Sequence, residues 1–435
     1  MGGRDGAAAP RATAAAFAGP VRHVYAHVPF CIARCDYCDF DAQAVGAAGP
    51  AEPAVAAMFD AYVAAVAAEW ELERAAHDVR RLETLYLGGG TPALLGPARL
   101  ERLLRAFDRW LTPHAEVTVE TNPDEVDDGF ASWAGARGVR VSLGVQSFLP
   151  RLRAALGRRP AADPASAARR LRAAGVRDLS VDLMCGIPSQ TASDLDEDLA
   201  AIDDVGPDHV SWYELGVVPG TPLARRLAGA SGDYVAASTL GGRAAACAGE
   251  SSGEDERAAL YRRAVRGLEC RGYRWYEVSN FARPGRRARH NVAYWRARPY
   301  LGLGPGAVST VGRRRWRNAP GLDGYLGALG ARHAQGRPGR PQPSDRRSAG
   351  SSSCRTAPPR EVETLDDATL ARERLMLAAR CGLGVPLAGL AAAVDPAAVA
   401  PLASAGLLSL HSGTIRVTRK GRYVANEVCV RLFRA

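Results

Sequence analysis

Tyr25-Ala-His27-Val-Pro29-Phe-Cys31-Ile-Ala-Arg-Cys35-Asp36-Tyr-Cys38-Asp39-Phe40 is the stretch from which the rest of the chain can be read. An apolar, β-branched run from Val21 to Val28 predicts a strand, and Pro29 ends it. The three thiols then share one loop at the strand's carboxyl end. Spacings of four and three residues let such a loop wrap three corners of an iron-sulfur cubane, leaving one iron for a small-molecule ligand. Two other readings stay open at this point. Zinc completed by His27, Asp36 or Asp39 would give a closed four-ligand site, and three free thiols would give no metal at all.

Working outward, the chain to about Gly220 alternates short apolar runs with longer stretches of helical period. Strands are expected at Val21-Val28, Leu82-Leu87, Glu116-Thr121, Val139-Val145, Leu179-Met184 and Val210-Val217. Helices are expected at Ala54-His77, Pro97-Trp110, Pro164-Ala174 and Ser193-Asp204. Repeated βα units of this kind predict an α/β fold, a partial (β/α)6 barrel, with chemistry at the carboxyl ends of its strands. The segments then divide into a disordered start at 1–20, the barrel at 21–226, a flexible insertion at 227–256 and an accessory region at 257–334. A Pro/Ser/Arg-rich insertion at 335–360, also expected to be disordered, contains Cys354. Residues 361–435 follow as a smaller α+β C-terminal domain with a winged-helix-like module, opening on a helix over Glu361-Arg380.

Composition narrows the class. The chain of 435 residues has no apolar run of membrane-spanning length, and its Ala-rich opening lacks the layout of a secretory signal, so a cytoplasmic protein without a transmembrane segment is expected. Nine cysteines, three of them clustered, suit a metal site in a reducing compartment better than a disulfide framework. The net charge of +10 comes almost wholly from arginine, with Lys420 the single lysine. A basic surface attracts polyanions, but arginine abundance throughout the chain reads as solvated surface, and no nucleic-acid partner is expected.

The C-x3-C-x2-C loop, with an aromatic residue before its last cysteine, resembles that of the radical-SAM superfamily. Tyr25 to Cys31 and Cys38-Asp-Phe40 resemble the oxygen-independent coproporphyrinogen III oxidase-like family, and more closely its heme chaperone branch. So do Gly88-Gly89-Gly90-Thr91-Pro92, Glu120-Thr-Asn-Pro123, Ser142 to Phe148, Asp182 to Pro188, Pro219 to Pro222 and Ser279 to Pro284. The resemblance implies a [4Fe-4S] cluster on Cys31, Cys35 and Cys38, and S-adenosylmethionine on its open iron. Reductive cleavage of the sulfonium by an electron donor would then yield an adenosyl radical. It further implies cofactor contacts from Tyr25, Gly88, Gly89, Gly90, Thr91, Glu120, Gln146, Arg158 and Asp182.

Within that family, the oxidase branch has a cysteine two positions after the third, where this chain has Phe40, and a substantial extension before the position of Tyr25. His290-Asn291-Val-Ala-Tyr294-Trp295 matches the signature of the heme-binding branch. A heme site on His290, Asn291, Tyr294 and Trp295 is therefore expected, with Arg283, Arg286, Arg287 and Arg289 as candidate propionate partners. Cys185 is expected to be a buried thiol. The resulting expectation is a chaperone that passes heme to acceptor proteins, those of a membrane-associated respiratory chain among them. Two alternatives stand beside it: coproporphyrinogen III oxidase, and a zinc-stabilised nucleic-acid-binding protein.

Overall fold

A computed structural model describes residues 17–158, 162–230, 251–330 and 357–434. All six expected strands are present: β1 (His23–Val28), β2 (Leu82–Gly89), β3 (Leu111–Thr121), β4 (Arg140–Gln146), β5 (Leu179–Cys185) and β6 (His209–Glu214). They pair in chain order and in parallel. β4 is buried along its whole length, as a strand covered by helices on one face and enclosed by the barrel on the other requires. The helices between them are α1 (Pro53–Ala76), α2 (Gly96–Arg105), α3 (Asp128–Arg137), α4 (Pro150–Ala155), α5 (Pro164–Ala173) and α6 (Ala192–Val205). Their starts are written locally: Asp127 accepts from Phe130 N–H at α3, and Thr191 with Asp194 forms a capping box at α6. The helix expected to reach Trp110 stops at Arg105, and a 3₁₀ turn follows at Asp108–Trp110.

A further parallel strand joins the six expected ones in the wall. After α7 (Pro222–Ala230) and α8 (Ser251–Cys270), β7 (Arg274–Glu277) and β8 (Asn280–Ala282) extend the β6 edge antiparallel. Helix α9 (Arg289–Trp295) then carries the chain back, and β9 (Tyr300–Leu303) pairs in parallel with the free edge of β1. β10 (Val308–Val311), β11 (Arg314–Asn318) and β12 (Arg360–Thr364) continue from there, completing a sheet of 12 strands. β9 escapes a sequence reading because its glycine-rich run looks like a turn and its partner lies almost 280 positions earlier.

Three segment expectations change. Residues 360–364 form an edge strand rather than the start of a helix, and α11 (Asp367–Ala379) begins only after its cap Asp366. At the other end, Phe17 is buried, donates its N–H to Ala297 and accepts from Gly312 N–H, so the start of the described chain is packed against the barrel. The insertion expected at 227–256 is helical up to Ala230 and again from Ser251. Residues 1–16, 231–250 and 331–356, including Cys354, lie outside the described residues.

Tyr62 and Trp70 of α1 are fully buried in the main core. Buried Glu69 on the same helix accepts from Gly304 N–H (2.8 Å), Asn318 Nδ2 (2.6 Å) and Tyr325 Oη (2.6 Å). One carboxylate thus ties the late strands and α10 (Leu322–Ala328) to the first helix. A second core, with Leu375, Leu390, Leu402, Val428 and Leu432, lies under α11, α12 (Pro396–Ser404) and α13 (Ala425–Leu432). Its sheet contains β13 (Val385–Pro386), β14 (Leu408–His411) and β15 (Thr414–Val417), which gives the expected winged-helix-like order. Arg419 and Arg422 of this unit pair with Glu269 of α8. Among the described residues, no helix is long and apolar enough to cross a membrane.

Candidate cluster site and the two ends of the barrel

β1 delivers the cysteine loop to the top of the barrel. Phe30–Cys31 forms a short parallel bridge with Gln43–Ala44, Asp36 N–H donates to Leu156 O, and Arg226 pairs with the Asp36 carboxylate at 2.5 Å. Cys31, Cys35 and Cys38 are free and half-buried. Thr91 donates to Cys31 Sγ at 3.7 Å and is itself held by Asn122 Nδ2 at 2.9 Å, so its contact is with the thiol loop. Burial pushes the Cys31 thiol up to about 11 and raises Cys38 as well, so metal loading has to displace protons there. Among the described residues no three His, Cys, Asp or Glu side chains converge on a single ion. The closed set a structural zinc needs is therefore not assembled, whereas three thiols spread along one loop suit the corners of a larger cluster.

The glycine run forms the neighbouring rim. At Gly90 a Cβ would lie 2.5 Å from Phe30 O, and at Gly89 2.3 Å from His27 Nδ1. These missing side chains first admit the chain's own backbone and imidazole, and they fix how β1 and β2 end side by side. Glu120 sits against them, accepting from Tyr86 Oη (2.6 Å) and Gly89 N–H (3.0 Å). Burial lifts its carboxyl to about 7; the Tyr86 bond opposes that rise and nearby Asp182 adds to it. Asp182, reached by Ser142 Oγ at 3.2 Å, is raised by burial to about 6. On the same rim Gln146 has φ +66°, and its buried Oε1 has no partner. Arg158 donates to Gly144 O at 2.5 Å while its Nε is left unpaired; burial lowers its basicity, but Tyr37 and Cys35 outweigh that and raise it. Orphaned polar atoms beside the thiol loop are what a polar cofactor would satisfy.

Below the rim a cavity of about 520 Å³ runs through the barrel, lined by Tyr25, Tyr86, Glu120, Asp182 and, at its foot, His290 and Tyr294. Phe40, 61% exposed, stands at its mouth. Tyr25, Glu120 and Asp182 line one chamber, with Gly88 packed against Tyr86 and Glu120, Gly89 against His27 and Tyr25, and Gly90 against the Phe30 backbone. Sequence reasoning missed Tyr86, Ser142 and Arg140, which line the same chamber. Their signal is the period-two alternation of inward positions on β2 and β4. Cys185 is buried at the end of β5, as expected.

Helix α9 closes the lower end. His290 is 2% exposed, its Nδ1 lies 2.7 Å from Thr84 Oγ1, and its Nε2 is buried without a partner. Tyr294 meets the His290 ring edge-on at 4.8 Å. Asn291 donates to Glu277 at 3.1 Å and to Tyr276 Oη at 3.2 Å. Trp295 is half-buried and does not line this cavity. The four candidate arginines are engaged elsewhere. Arg283 lies over Tyr273, Arg286 pairs with Asp178, Arg287 lies over Tyr276, and Arg289 donates to His114 O and Glu83 O.

Beneath α9, a second cavity of about 710 Å³ opens at the amino ends of β1, β2 and β3. Its wall includes His23, 8% exposed, whose Nδ1 lies 2.9 Å from the same Thr84 hydroxyl.

Comparison with known proteins agrees with this geometry. Residues 25–202 match the Radical SAM superfamily domain, and residues 365–424 match the HemN C-terminal domain. The solved structure of coproporphyrinogen III oxidase (HemN) from Escherichia coli has the same fold, with a TM-score of 0.70 over 97% of this chain and 92% of that one at 21% identity. The protein named Heme chaperone HemW in E. coli is 31% identical over 67% of this chain and 71% of its own. The Heme chaperone HemW of Mycobacterium tuberculosis is 36% identical, and the match covers 93% of each chain. Identity at that level along nearly the whole length, on a radical-SAM domain with its cysteine loop in place, shows that this chain belongs to the HemW family of the radical-SAM superfamily.

Proposed function

We propose that this protein is a heme chaperone, which binds heme and hands it to acceptor proteins, built on a barrel for a [4Fe-4S] cluster and S-adenosylmethionine. The observation that carries the reading is α9, the helix of the His290 motif. It separates two cavities and presents imidazole and phenol to one, and Val292, Ala293 and Arg296 to the other. Cys31, Cys35 and Cys38 would hold the cluster. Tyr25, the Gly88 to Gly90 edge, Glu120, Gln146, Arg158 and Asp182 would position the cofactor, Thr91 would orient Cys31, and His290, Asn291, Tyr294 and Trp295 form the helix on which the heme site is built. When bound, the pair supplies one-electron cleavage of a sulfonium bond, fed by an electron donor. The chain's own part is placement: Glu120 is poised to accept hydroxyl hydrogen bonds, and Tyr86, Ser142 and Asp182 line the chamber around it. We place the work in the cytoplasm, with acceptors that include respiratory proteins at the membrane surface.

Coproporphyrinogen decarboxylation is the second reading, favoured only by the shared barrel. Phe40, where the oxidase branch has cysteine, argues against it. One anaerobically reconstituted sample tests both. It should carry about four irons per chain, shift the Soret band of added hemin at one equivalent, and leave coproporphyrinogen unchanged when reductant and S-adenosylmethionine are present. Stoichiometric zinc without iron, or an unshifted Soret band, would overturn the proposal, and protoporphyrinogen formation would promote the oxidase.

A further inference from the structure

The lower cavity is assigned no role by the motifs above. Arg81, Arg296 and Arg298 line it, all three are exposed, and none makes a side-chain hydrogen bond or ion pair with the described residues. Arg22 and Arg289 stand beside them, already occupied by Glu83 and by backbone carbonyls, and Glu83 is the one acid on the wall. Its apolar wall includes Pro20, Val292, Ala293 and Pro299. His23 Nε2 makes no hydrogen bond with the described residues, while its Nδ1 is held by Thr84. A free imidazole nitrogen, an oxygen that orients its other nitrogen, three unspent guanidinium groups and an apolar wall are the four things a planar iron macrocycle bearing two carboxylates requires.

We infer that heme docks in this lower cavity, with His23 Nε2 on the iron and Arg81, Arg296 and Arg298 on the propionates. The inference rests on the heme-chaperone reading and gives its motif a different part to play. His290 Nε2 is shut in by Tyr294 at 4.8 Å and Tyr86 at 5.2 Å between ring centres, so a macrocycle would have to displace both rings to reach it. His23 lines the lower cavity, and its Nε2 makes no hydrogen bond with the described residues.

Thr84 links the two imidazoles. Its single hydroxyl proton serves one Nδ1 while its lone pair accepts from the other, so with all bonds kept, just one ring presents a bare Nε2. Iron on His23 sets His23 as the Nδ1–H tautomer, and Thr84 then donates to His290. His290 consequently carries its proton on Nε2, between the Tyr294 and Tyr86 rings at the foot of the upper chamber. His290 is thus a positioning residue: it fixes the tautomer of the ligand, and occupancy below is felt as a donor above.

Hemin titration of the full-length, cluster-reconstituted chain tests this, read by Soret position, electron paramagnetic resonance and affinity. His23→Ala should abolish the histidine-ligated signature and weaken binding at least tenfold. His290→Ala should keep that signature with a smaller loss of affinity. The double exchange Arg296→Glu/Arg298→Glu, confined to exposed positions that cannot unfold a core, should weaken hemin tenfold or more while leaving hemin dimethyl ester unaffected. A His23→Ala protein with wild-type spectrum and affinity, loss of histidine ligation only in His290→Ala, or equal effects of the double exchange on hemin and its ester would each overturn the assignment. Absence of any hemin binding by the wild-type chain would instead bring down the chaperone reading itself.

Discussion

The two ends of the barrel are built by different means. The upper rim is made where successive strands stop, so its residues arrive in chain order: thiols after β1, glycines after β2, Glu120 at the end of β3, Gln146 at the end of β4. The lower end is made by one late helix that reaches back across the sheet, and its central contact, Thr84 with His290, spans 206 positions. Their chemistry diverges as well. Burial raises the acids of the upper chamber, Glu120 to about 7 and Asp182 to about 6, and lowers the imidazoles at that chamber's foot, His290 and His209, to about 3 and His23 on the lower cavity to about 4. Both shifts favour neutral groups in an unfilled interior, and the lesson is that one barrel keeps two chemically separate compartments with α9 as the partition.

If the partition is real, the ends can be disabled separately. Replacing Cys31, Cys35 and Cys38 together by alanine should take iron from about four per chain to none, while hemin affinity stays within about twofold of wild type. Iron analysis and a Soret titration on the same preparation decide it. A triple variant that loses hemin binding along with iron would merge the compartments.

The rim's backbone is the next place to break. Gly90→Ala would put a Cβ 2.5 Å from Phe30 O and 2.8 Å from Phe30 N, both backbone atoms that cannot swing aside. Overpacking of this kind costs about 1–3 kcal/mol, at the upper end where the obstacle is rigid. Urea unfolding should show that loss, together with poorer cluster retention. An unchanged midpoint would mean that the β1 and β2 ends are not locked against each other.

Glu120→Gln keeps the shape and removes the acceptor pair. Hydrogen bonds to a charged group contribute about 1.5–3 kcal/mol, so S-adenosylmethionine should bind the reconstituted variant roughly 10- to 100-fold more weakly. Calorimetry gives the number, and hemin affinity should not move. Equal binding by the variant would remove Glu120 from the cofactor site.

These contrasts also explain how much of the molecule was legible beforehand. Six strands and the helices α1, α2, α5 and α6 could be placed because their period and caps are local, as with Thr191 and Asp194 at α6. The rim residues could be named because each falls at a strand end, which is one position per βα unit. β9 and β12 could not, since each is defined by a partner distant in the chain, and neither run alternates cleanly. His23 was hidden for the same reason. Inside an apolar strand it reads as a packed residue, and only the approach of α9 and three arginines from distant segments gives it a setting. Tyr294 and Trp295 show the same limit: neighbouring residues on a helix point about 100° apart, and of the two only Tyr294 lines the upper chamber.

The smallest effect expected concerns protons. His209 is fully bonded inside the barrel, Nδ1 to Ser180 Oγ and Nε2 to Tyr276 Oη, both at 2.7 Å. Burial lowers it from 6.5 to about 3. A base depressed by folding binds fewer protons in the native state than in the unfolded one. Its contribution is therefore whole above pH 6.5 and is lost as pH falls from there toward 3. The advantage of wild type over His209→Gln should shrink by on the order of 1–2 kcal/mol between pH 7 and pH 5, measured as the gap between their unfolding midpoints. The raised acids oppose this trend in absolute stability but are common to both proteins, so they cancel in the difference. A gap that stays constant with pH would mean that His209 already carries its proton in the fold, and the contrast between acidic rim and neutral imidazole base would fail at that residue.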